Sequence, residues 1–221
     1  SQGVGENIEN AFEFGEELLA LDPGTLKKHP LINEQLKNAR SKNSHYLAHE
    51  YFNKDWHPVF YSQMANELSK AKLQFATSAH YLDYVDVINM TKEQSNYLKS
   101  INNVDFQQSV RDFIVNQQFR RDYWVRGNRN FTPLEKHEFL LDTEVLLTQN
   151  RSDVPETFQS TLGKVTLDIN VYHPILDVLG DNKPKSIGQI ARKLAGNDIG
   201  MGMLTEALSV LVGIGCVYPI N

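Results

Sequence analysis

Two histidines near residue 50 have the spacing that metal ligands use on a helix. His45 and His49 are four residues apart, which would place them on one helix face. In the zinc-protease motif a glutamate directly follows the first histidine, whereas here Glu50 follows the second. The single cysteine offers no pair to complete such a site. We therefore predict no metal site, and we expect His49 and Glu50 to form a buried, hydrogen-bonded polar anchor.

A second group combines arginine side chains with aromatic rings. Its members are Arg120, Arg121, Tyr123, Trp124, Arg126, Arg129 and Phe131. On a strand, Arg120, Trp124 and Arg126 share one face, so the residues favour a structural strand whose arginines stay in water. Recognition of an acidic protein segment and stacking on single-stranded nucleic acid remain open. The candidate interaction surface consists of Arg120, Arg121, Trp124 and Arg126.

The glycines lack the arrangement that binds a nucleotide cofactor. Such a site needs a strand, a glycine-rich turn and a helix, because only glycine lets the backbone approach the ligand closely. The glycine pairs at residues 3–5 and 200–202 follow no apolar run, and the pair at 213–215 closes a helix. Cys216 lies in an apolar run, which is typical of a core residue. We predict no catalytic, cofactor-binding or metal-binding residue in this chain.

The elements that would position these residues divide the chain into three predicted parts. The first part, residues 1–43, is helical, because apolar residues recur at helical spacing up to a break at residues 22–24. The second part is residues 44–127 and the third is residues 128–221. The predicted fold class is α+β and mostly helical, with a few strands.

The second part is predicted to alternate helices with extended segments. We expect, in chain order, a helix over 58–69, a strand over 72–76, a helix start at Thr91, a helix over 105–119 and an extended segment over 119–125. Helical spacing predicts that the helix over 105–119 buries four apolar residues: Phe106, Val110, Phe113 and Ile114. Pro58 suits the first turn of a helix, and Trp56 should pack beside it. The candidate structural anchors are His49, Glu50, Trp56 and Pro58.

The third part resembles a winged helix in its order of elements. A capped helix start at Thr132 precedes strands over 144–148 and 157–167. Three short helices and a final strand follow, over 172–179, 186–194, 203–212 and 216–220. The second wing strand is either truncated or supplied by the earlier strands. From residue 169 onward four basic and four acidic residues balance, and the last helix has no Lys or Arg, so we predict no nucleic-acid binding.

The run YLAHEYFNKDWHP at residues 46–58 resembles the opening of a known domain. The similarity is to the predicted regulatory domain of bacterial S-adenosylmethionine-dependent methyltransferases of the protein lysine type. It continues through residues 60–73 and 119–126 and covers about residues 44–127. In that family this domain follows a Rossmann-type catalytic domain and is not itself the cofactor site. The resemblance and the order of elements together predict a helical regulatory domain followed by a winged-helix-like C-terminal domain.

The resemblance implies a function that this chain would not perform alone. It would be a non-catalytic regulatory or substrate-recognition region, and S-adenosylmethionine would bind only in the full-length methyltransferase. The implied partners are the protein's own catalytic domain and a protein substrate, and self-association as a homodimer stays open. The alternative is a stand-alone helical adaptor or a winged-helix transcription regulator.

Composition excludes several other classes. No apolar run approaches the roughly 20 residues that span a bilayer, and no secretory signal opens the chain, so we expect no membrane partner. The net charge of −5 argues against a nucleic-acid protein. One cysteine among 221 residues suits a reducing compartment, and we expect a cytoplasmic location. The chain starts with Ser1 and not with methionine, which is typical of a piece of a longer protein.

Overall fold

The computed structural model describes residues 3–55, 57–127, 129 and 131–220, except the side chain of Lys27. It is α+β and mostly helical, with small antiparallel sheets, as the sequence predicts. The chain splits into two compact units, Ser1–Val59 and Phe60–Asn221. The division into three parts stays a prediction.

The first unit is a small helical assembly. Its helices are Val4–Ala20 (α1), Gly24–Lys28 (α2), Ile32–Arg40 (α3) and Ser44–Glu50 (α4). Ile8 and Phe12 of α1 form a core with Leu47 of α4, and Leu36 packs against it. On the surface, Arg40 forms ion pairs with two glutamates of α1, Glu9 and Glu16. The apolar stripe of α1 therefore positions the other helices.

The second unit begins with helices packed beside a two-stranded sheet. Its elements are Tyr61–Lys70 (α5), Leu73–Ser78 (β1), Asp86–Asn89 (α6), Lys92–Lys99 (α7), Val104–Val115 (α8) and Asp122–Arg126 (β2), with a 3-10 turn at Tyr81–Tyr84. β1 and β2 are antiparallel, with Phe75 opposite Trp124 and an irregularity between Phe75 and Thr77. Thr91 and Gln94 cap α7 reciprocally, as predicted.

The start of α5 corrects the prediction for Pro58. The helix begins at Tyr61, and Pro58 lies before it in an exposed, irregular segment. The Gln63 side chain accepts a hydrogen bond from the backbone N–H of Phe60 at 2.9 Å, which satisfies a donor at the helix start. This local bond fixes the boundary three residues later than the proline suggests. Trp56 lies outside the described residues.

The buried face of α8 is also different from the predicted one. Phe106 and Phe113 are 59% and 88% exposed, whereas Arg111 and Val115 are buried. Val110 and Ile114 are half-buried, as a helix edge would be. Burial of both phenylalanines is therefore a wrong prediction. The Arg111 side chain turns inward because its guanidinium donates to the backbone oxygen of Asp83 at 2.8 Å.

The rest of the second unit surrounds the largest hydrophobic core. Its elements are Pro133–Asp142 (α9), Glu144–Leu147 (β3), Thr157–Ser160 (β4), Gly163–Thr166 (β5), Ile169–Leu179 (α10), Lys185–Ser186 (β6), Ile187–Lys193 (α11), Met201–Gly213 (α12) and Val217–Ile220 (β7). β3 lies between β6 and β7 and is antiparallel to both. The core includes the fully buried Ile175, Leu179, Ile190, Leu211 and Val217.

The structure corrects one prediction for this region and agrees with another. The strand predicted over 157–167 is a hairpin, β4 and β5, because the chain reverses ahead of Gly163, whose φ is +120°. The predicted order of three helices and a final strand after residue 169 is present, and the earlier strand β3 pairs with the final strand. No helix among the described residues combines the length and apolarity that a membrane-spanning segment needs.

Candidate functional site

Arg120 is the most heavily bonded residue of the predicted interaction surface. It lies between α8 and β2, and its side chain is 18% exposed. Its Nε donates to Asp122 Oδ2 at 2.8 Å, and Nη1 donates to Asp112 Oδ1 at 2.6 Å. Its Nη2 donates to Gln108 Oε1 at 3.0 Å. The guanidinium therefore ties α8 to the start of β2.

The same guanidinium lies against aromatic rings. Its central carbon is 4.5 Å from the ring centroid of Tyr61 and 5.5 Å from that of Phe75. Trp124 contacts both rings, stacked on Tyr61 at 5.7 Å and edge-on to Phe75 at 5.8 Å. We call Tyr61, Phe75, Arg120 and Trp124 the arginine–aromatic cluster. It joins α5, β1 and β2, and the cation–ring contacts add to the packing.

Burial and charge shape the titration of this cluster. Burial raises the pKa of Tyr61, and the hydrogen bond from its hydroxyl to Asp105 Oδ1 at 3.0 Å raises it further. Burial lowers the pKa of Arg120, but its bonds to Asp122 and Asp112 outweigh this and leave that pKa raised. Burial also raises the pKa of Asp112, and the charge of Arg120 offsets only part of that rise. Arg120 thus stays charged at neutral pH.

The four residues of the predicted surface separate into two environments. Arg120 and Trp124 lie in the cluster, on the face of the strand that packs inward. Arg121 and Arg126 are exposed, and Arg126 donates to the backbone oxygen of Ala71 at 3.0 Å. Tyr123, between them, is 60% exposed. Exposure alternates with the strand period from Arg121 to Trp124, whereas Arg126 is exposed because it ends the strand. A binding role for this surface stays a prediction.

A charged cleft lies beside the cluster. It has a volume of about 250 Å³, and its lining includes Ser78, Asp83, Asp86, Lys99, Arg111 and Arg120. Ser78 Oγ donates to Asp83 Oδ2 at 2.6 Å, and Lys99 Nζ lies 3.2 Å from Asp86 Oδ2. Because its charged groups are paired with one another, the cleft holds the hairpin and α8 together as a polar network.

Three residues at this cleft have the types of a catalytic triad but not its geometry. The Ser78 hydroxyl donates to Asp83, whereas a nucleophilic serine must donate to histidine. His80 Nδ1 lies 3.6 Å from Asp83 Oδ1, and the imidazole is 58% exposed. The arrangement is a turn stabilised by side chains. The described residues contain no group of three or more His, Cys, Asp or Glu side chains placed to hold a metal ion.

Sequence reasoning missed two members of this network, Asp83 and Arg111. Arg111 occupies the buried face of α8, four residues before the buried Val115. A charged residue at helical spacing from core positions was the available signal, since buried arginine needs a partner.

The predicted polar anchor is not formed. His49 and Glu50 are both exposed, and the buried residue of α4 is Leu47. α4 is instead fixed by its cap, because Asn43 Oδ1 accepts from the backbone N–H of His45 at 2.8 Å. The expectation that His49 and Glu50 are buried is therefore wrong.

Comparison with known sequences identifies the segment that contains the cluster. Residues 43–126 match the family described as predicted methyltransferase regulatory domain. This chain carries a methyltransferase regulatory domain. All four residues of the arginine–aromatic cluster lie within the regulatory domain.

Longer proteins resemble the whole chain. An uncharacterized protein of Synechocystis sp., sll1526, is 34% identical over 219 residues, which are 99% of this chain and 43% of that protein. PKMT2 from Rickettsia typhi has the same fold, with a TM-score of 0.58 and 15% identity over 87% of this chain and 42% of that one. PKMT2 in complex with AdoHcy gives 0.60 and 14%, covering 98% and 45%. The chain with the regulatory domain thus spans less than half the length of these relatives.

Proposed function

We propose that this chain is the non-catalytic regulatory and substrate-recognition region of an S-adenosylmethionine-dependent methyltransferase. The observation that carries the proposal is the coverage of PKMT2 in complex with AdoHcy, which matches 98% of this chain over only 45% of its own length. The family matched by residues 43–126 is described as regulatory. We assign cofactor binding and methyl transfer to a Rossmann domain outside residues 1–221, and we place the protein in the cytoplasm.

The hairpin of β1 and β2 is the element that we assign to substrate recognition. The residues of its inner face pack in the arginine–aromatic cluster. Its outer face is therefore held in one orientation, in which it can contact a substrate. That outer face carries the exposed Arg121 and Tyr123, and Arg126 is exposed at the end of β2. A catalytic domain that contacts only the reacting side chain leaves the rest of a protein substrate unbound. An additional surface that binds and orients the substrate increases the rate of reaction.

We assign a protein-contact role to the winged-helix-like C-terminal region. We interpret the succession of α10, β6, α11, α12 and β7 as winged-helix-like. α12 contains Glu206 but neither lysine nor arginine. A helix that reads the major groove uses basic or amide side chains. Contact with the catalytic domain or with a second copy therefore suits this helix better than contact with DNA.

A comparison of two proteins tests the proposal. Methylation kinetics are measured for the full-length protein and for a version that lacks the region corresponding to this chain. We expect the shortened protein to keep its affinity for S-adenosylmethionine and to show a much higher KM for the protein substrate. An unchanged kcat/KM for the protein substrate in the shortened version would contradict the proposal.

A further inference from the structure

Basic side chains gather around one cleft of the C-terminal region. The cleft has a volume of about 470 Å³ and is lined by Asp181, Lys183, Pro184, Lys185, Gln189, Arg192 and Lys193. Four cationic residues thus face one carboxylate. We propose that this basic cleft binds an acidic peptide segment of a partner protein.

The one carboxylate of the cleft is already engaged. Lys185 is buried, with a side chain 8% exposed, and its Nζ forms an ion pair with Asp181. The hydrogen bond from Lys185 lowers the pKa of Asp181, so this carboxylate stays ionised and paired. The pair neutralises one of the four cations. The charge available to a ligand comes from the other three.

Those three cations are Lys183, Arg192 and Lys193. Each is exposed, and none forms an ion pair with an acidic side chain in the part of the chain that the structure describes. Arg192 and Lys193 lie in the last turn of α11, where cations favour the helix dipole. That effect does not account for Lys183, which reaches the same cleft from the loop after α10. With four cationic residues and one carboxylate, the cleft therefore has an excess of three positive charges.

The loop that carries Lys183 is held rigidly. Asn182 adopts a left-handed conformation with φ of +52°, which asparagine tolerates. Its Nδ2 donates to the backbone oxygens of Leu147 at 2.8 Å and Gln149 at 3.0 Å. On the other side, Lys185 pairs with Val145 in the sheet. A ligand would meet a loop backbone that is already ordered, which lowers the entropy lost on binding.

The structure separates charges that cancel in the sequence. Asp177 forms an ion pair with Arg151 at 2.5 Å, and Glu206 lies on α12, near enough to Tyr172 to raise its pKa. Neither of these acids lines the basic cleft. A region with no net charge thus presents one positive surface.

Carboxylates suit this site better than a nucleic-acid duplex. The cleft is compact, of a size that holds a few side chains, and lysine and arginine both form charge-assisted bonds to carboxylates. A duplex presents phosphates along an extended line and is bound by a long basic stripe. The neighbouring α12 contributes no basic residue to such a stripe.

The test uses a fluorescent peptide of alternating glutamate and aspartate, titrated into the chain and followed by anisotropy at low salt. One variant combines Lys183→Glu, Arg192→Glu and Lys193→Glu. The control variant, Lys92→Glu with Lys136→Glu and Lys164→Glu, makes the same change of net charge at exposed residues outside the cleft. We expect the cleft variant to bind at least about tenfold more weakly and the control to change little, since each exposed pair contributes modestly.

Several results would overturn the inference. They are the absence of peptide binding to the unaltered chain, equal losses in both variants, or a DNA duplex that binds more tightly than the peptide. Circular dichroism verifies the fold of each variant. If the charge-reversed cleft variant fails to fold, the glutamine replacements at the same three positions are measured instead, with the same expected loss. The test does not depend on methyltransferase activity.

Discussion

Trp124 stacks on Tyr61, with ring centroids 5.7 Å apart and ring planes inclined by 26°. Tyr61 opens α5 and Trp124 lies in the middle of β2, so this contact joins two parts of the regulatory domain that are 63 residues apart in the chain. Arg120 lies over the Tyr61 ring, next to the same contact. The stability of the hairpin therefore depends on a few residues of one cluster.

Replacing Arg120 should destabilise the protein strongly. Arg120→Ala leaves Asp112 and Asp122 partly buried without their cation, and we expect a loss of about 3 kcal/mol in the free energy of unfolding. Urea denaturation measures the loss. The matched control is Arg121→Ala, which removes an exposed arginine and should change the stability by less than about 0.5 kcal/mol. Equal effects of the two substitutions would contradict the structural role of Arg120.

Three exposed residues of the hairpin should affect substrate binding without affecting stability. We expect the full-length enzyme carrying Arg121→Ala, Tyr123→Ala and Arg126→Ala to show a raised KM for its protein substrate and an unchanged kcat. Steady-state methylation kinetics provide the measurement, and the melting temperature serves as the control for folding. A fall in kcat alone would assign these residues a different role.

The tyrosines predict how stability changes at alkaline pH. Burial raises the pKa of Tyr84 to about 12 and that of Tyr172 to about 12. A raised pKa means that the folded protein holds the phenolic proton more tightly than the unfolded chain does. The associated stability is complete below the unfolded pKa of about 10 and is lost as the pH rises from there through the folded values.

Absorbance at 295 nm and the urea midpoint, both measured against pH, test this prediction. Tyr84→Phe should remove its share of the alkaline loss, together with the hydrogen bond that its hydroxyl donates to the backbone oxygen of Ser78 at 2.6 Å. Ionisation of all tyrosines near pH 10, with no change in the urea midpoint, would contradict the raised pKa of Tyr84 and Tyr172.

Asn182 should be more sensitive to alanine than to glycine. Asn182→Ala removes two hydrogen bonds to backbone oxygens and places alanine at a φ of +52°, so we expect a loss of about 2 kcal/mol. Asn182→Gly removes the same bonds but accepts the backbone conformation, and it should lose less. Denaturant unfolding of both variants gives the comparison. A larger loss for glycine would show that backbone strain is unimportant here.

Helix starts were predictable from the sequence where the capping hydrogen bonds join residues close together in the chain. Thr91 with Gln94, Thr132 with Glu135 and Ser186 with Gln189 each form a reciprocal cap. Such a cap is completed within four residues, so its pattern is visible in the sequence. The alternation of inward and outward residues from Asp122 to Trp124 follows for the same reason, and it ends at Val125 and Arg126.

The sequence could not predict features that depend on contacts between distant elements. α8 exposes Phe113 and buries Arg111 because the guanidinium reaches the backbone of Asp83, 28 residues earlier. Arg120 has a structural role because its guanidinium contacts Asp112 and the Tyr61 ring. The basic cleft exists because folding brings Lys183 beside Arg192 and leaves Asp177 and Glu206 outside the cleft. Helical spacing and net charge contain no information about these approaches.

Calorimetric titration of S-adenosylmethionine tests the central claim most directly. The cofactor is titrated into this chain and, separately, into the full-length protein under the same conditions. We predict no heat of binding for this chain and saturable binding for the full-length protein. Micromolar or tighter binding to this chain alone would contradict its assignment as a non-catalytic region.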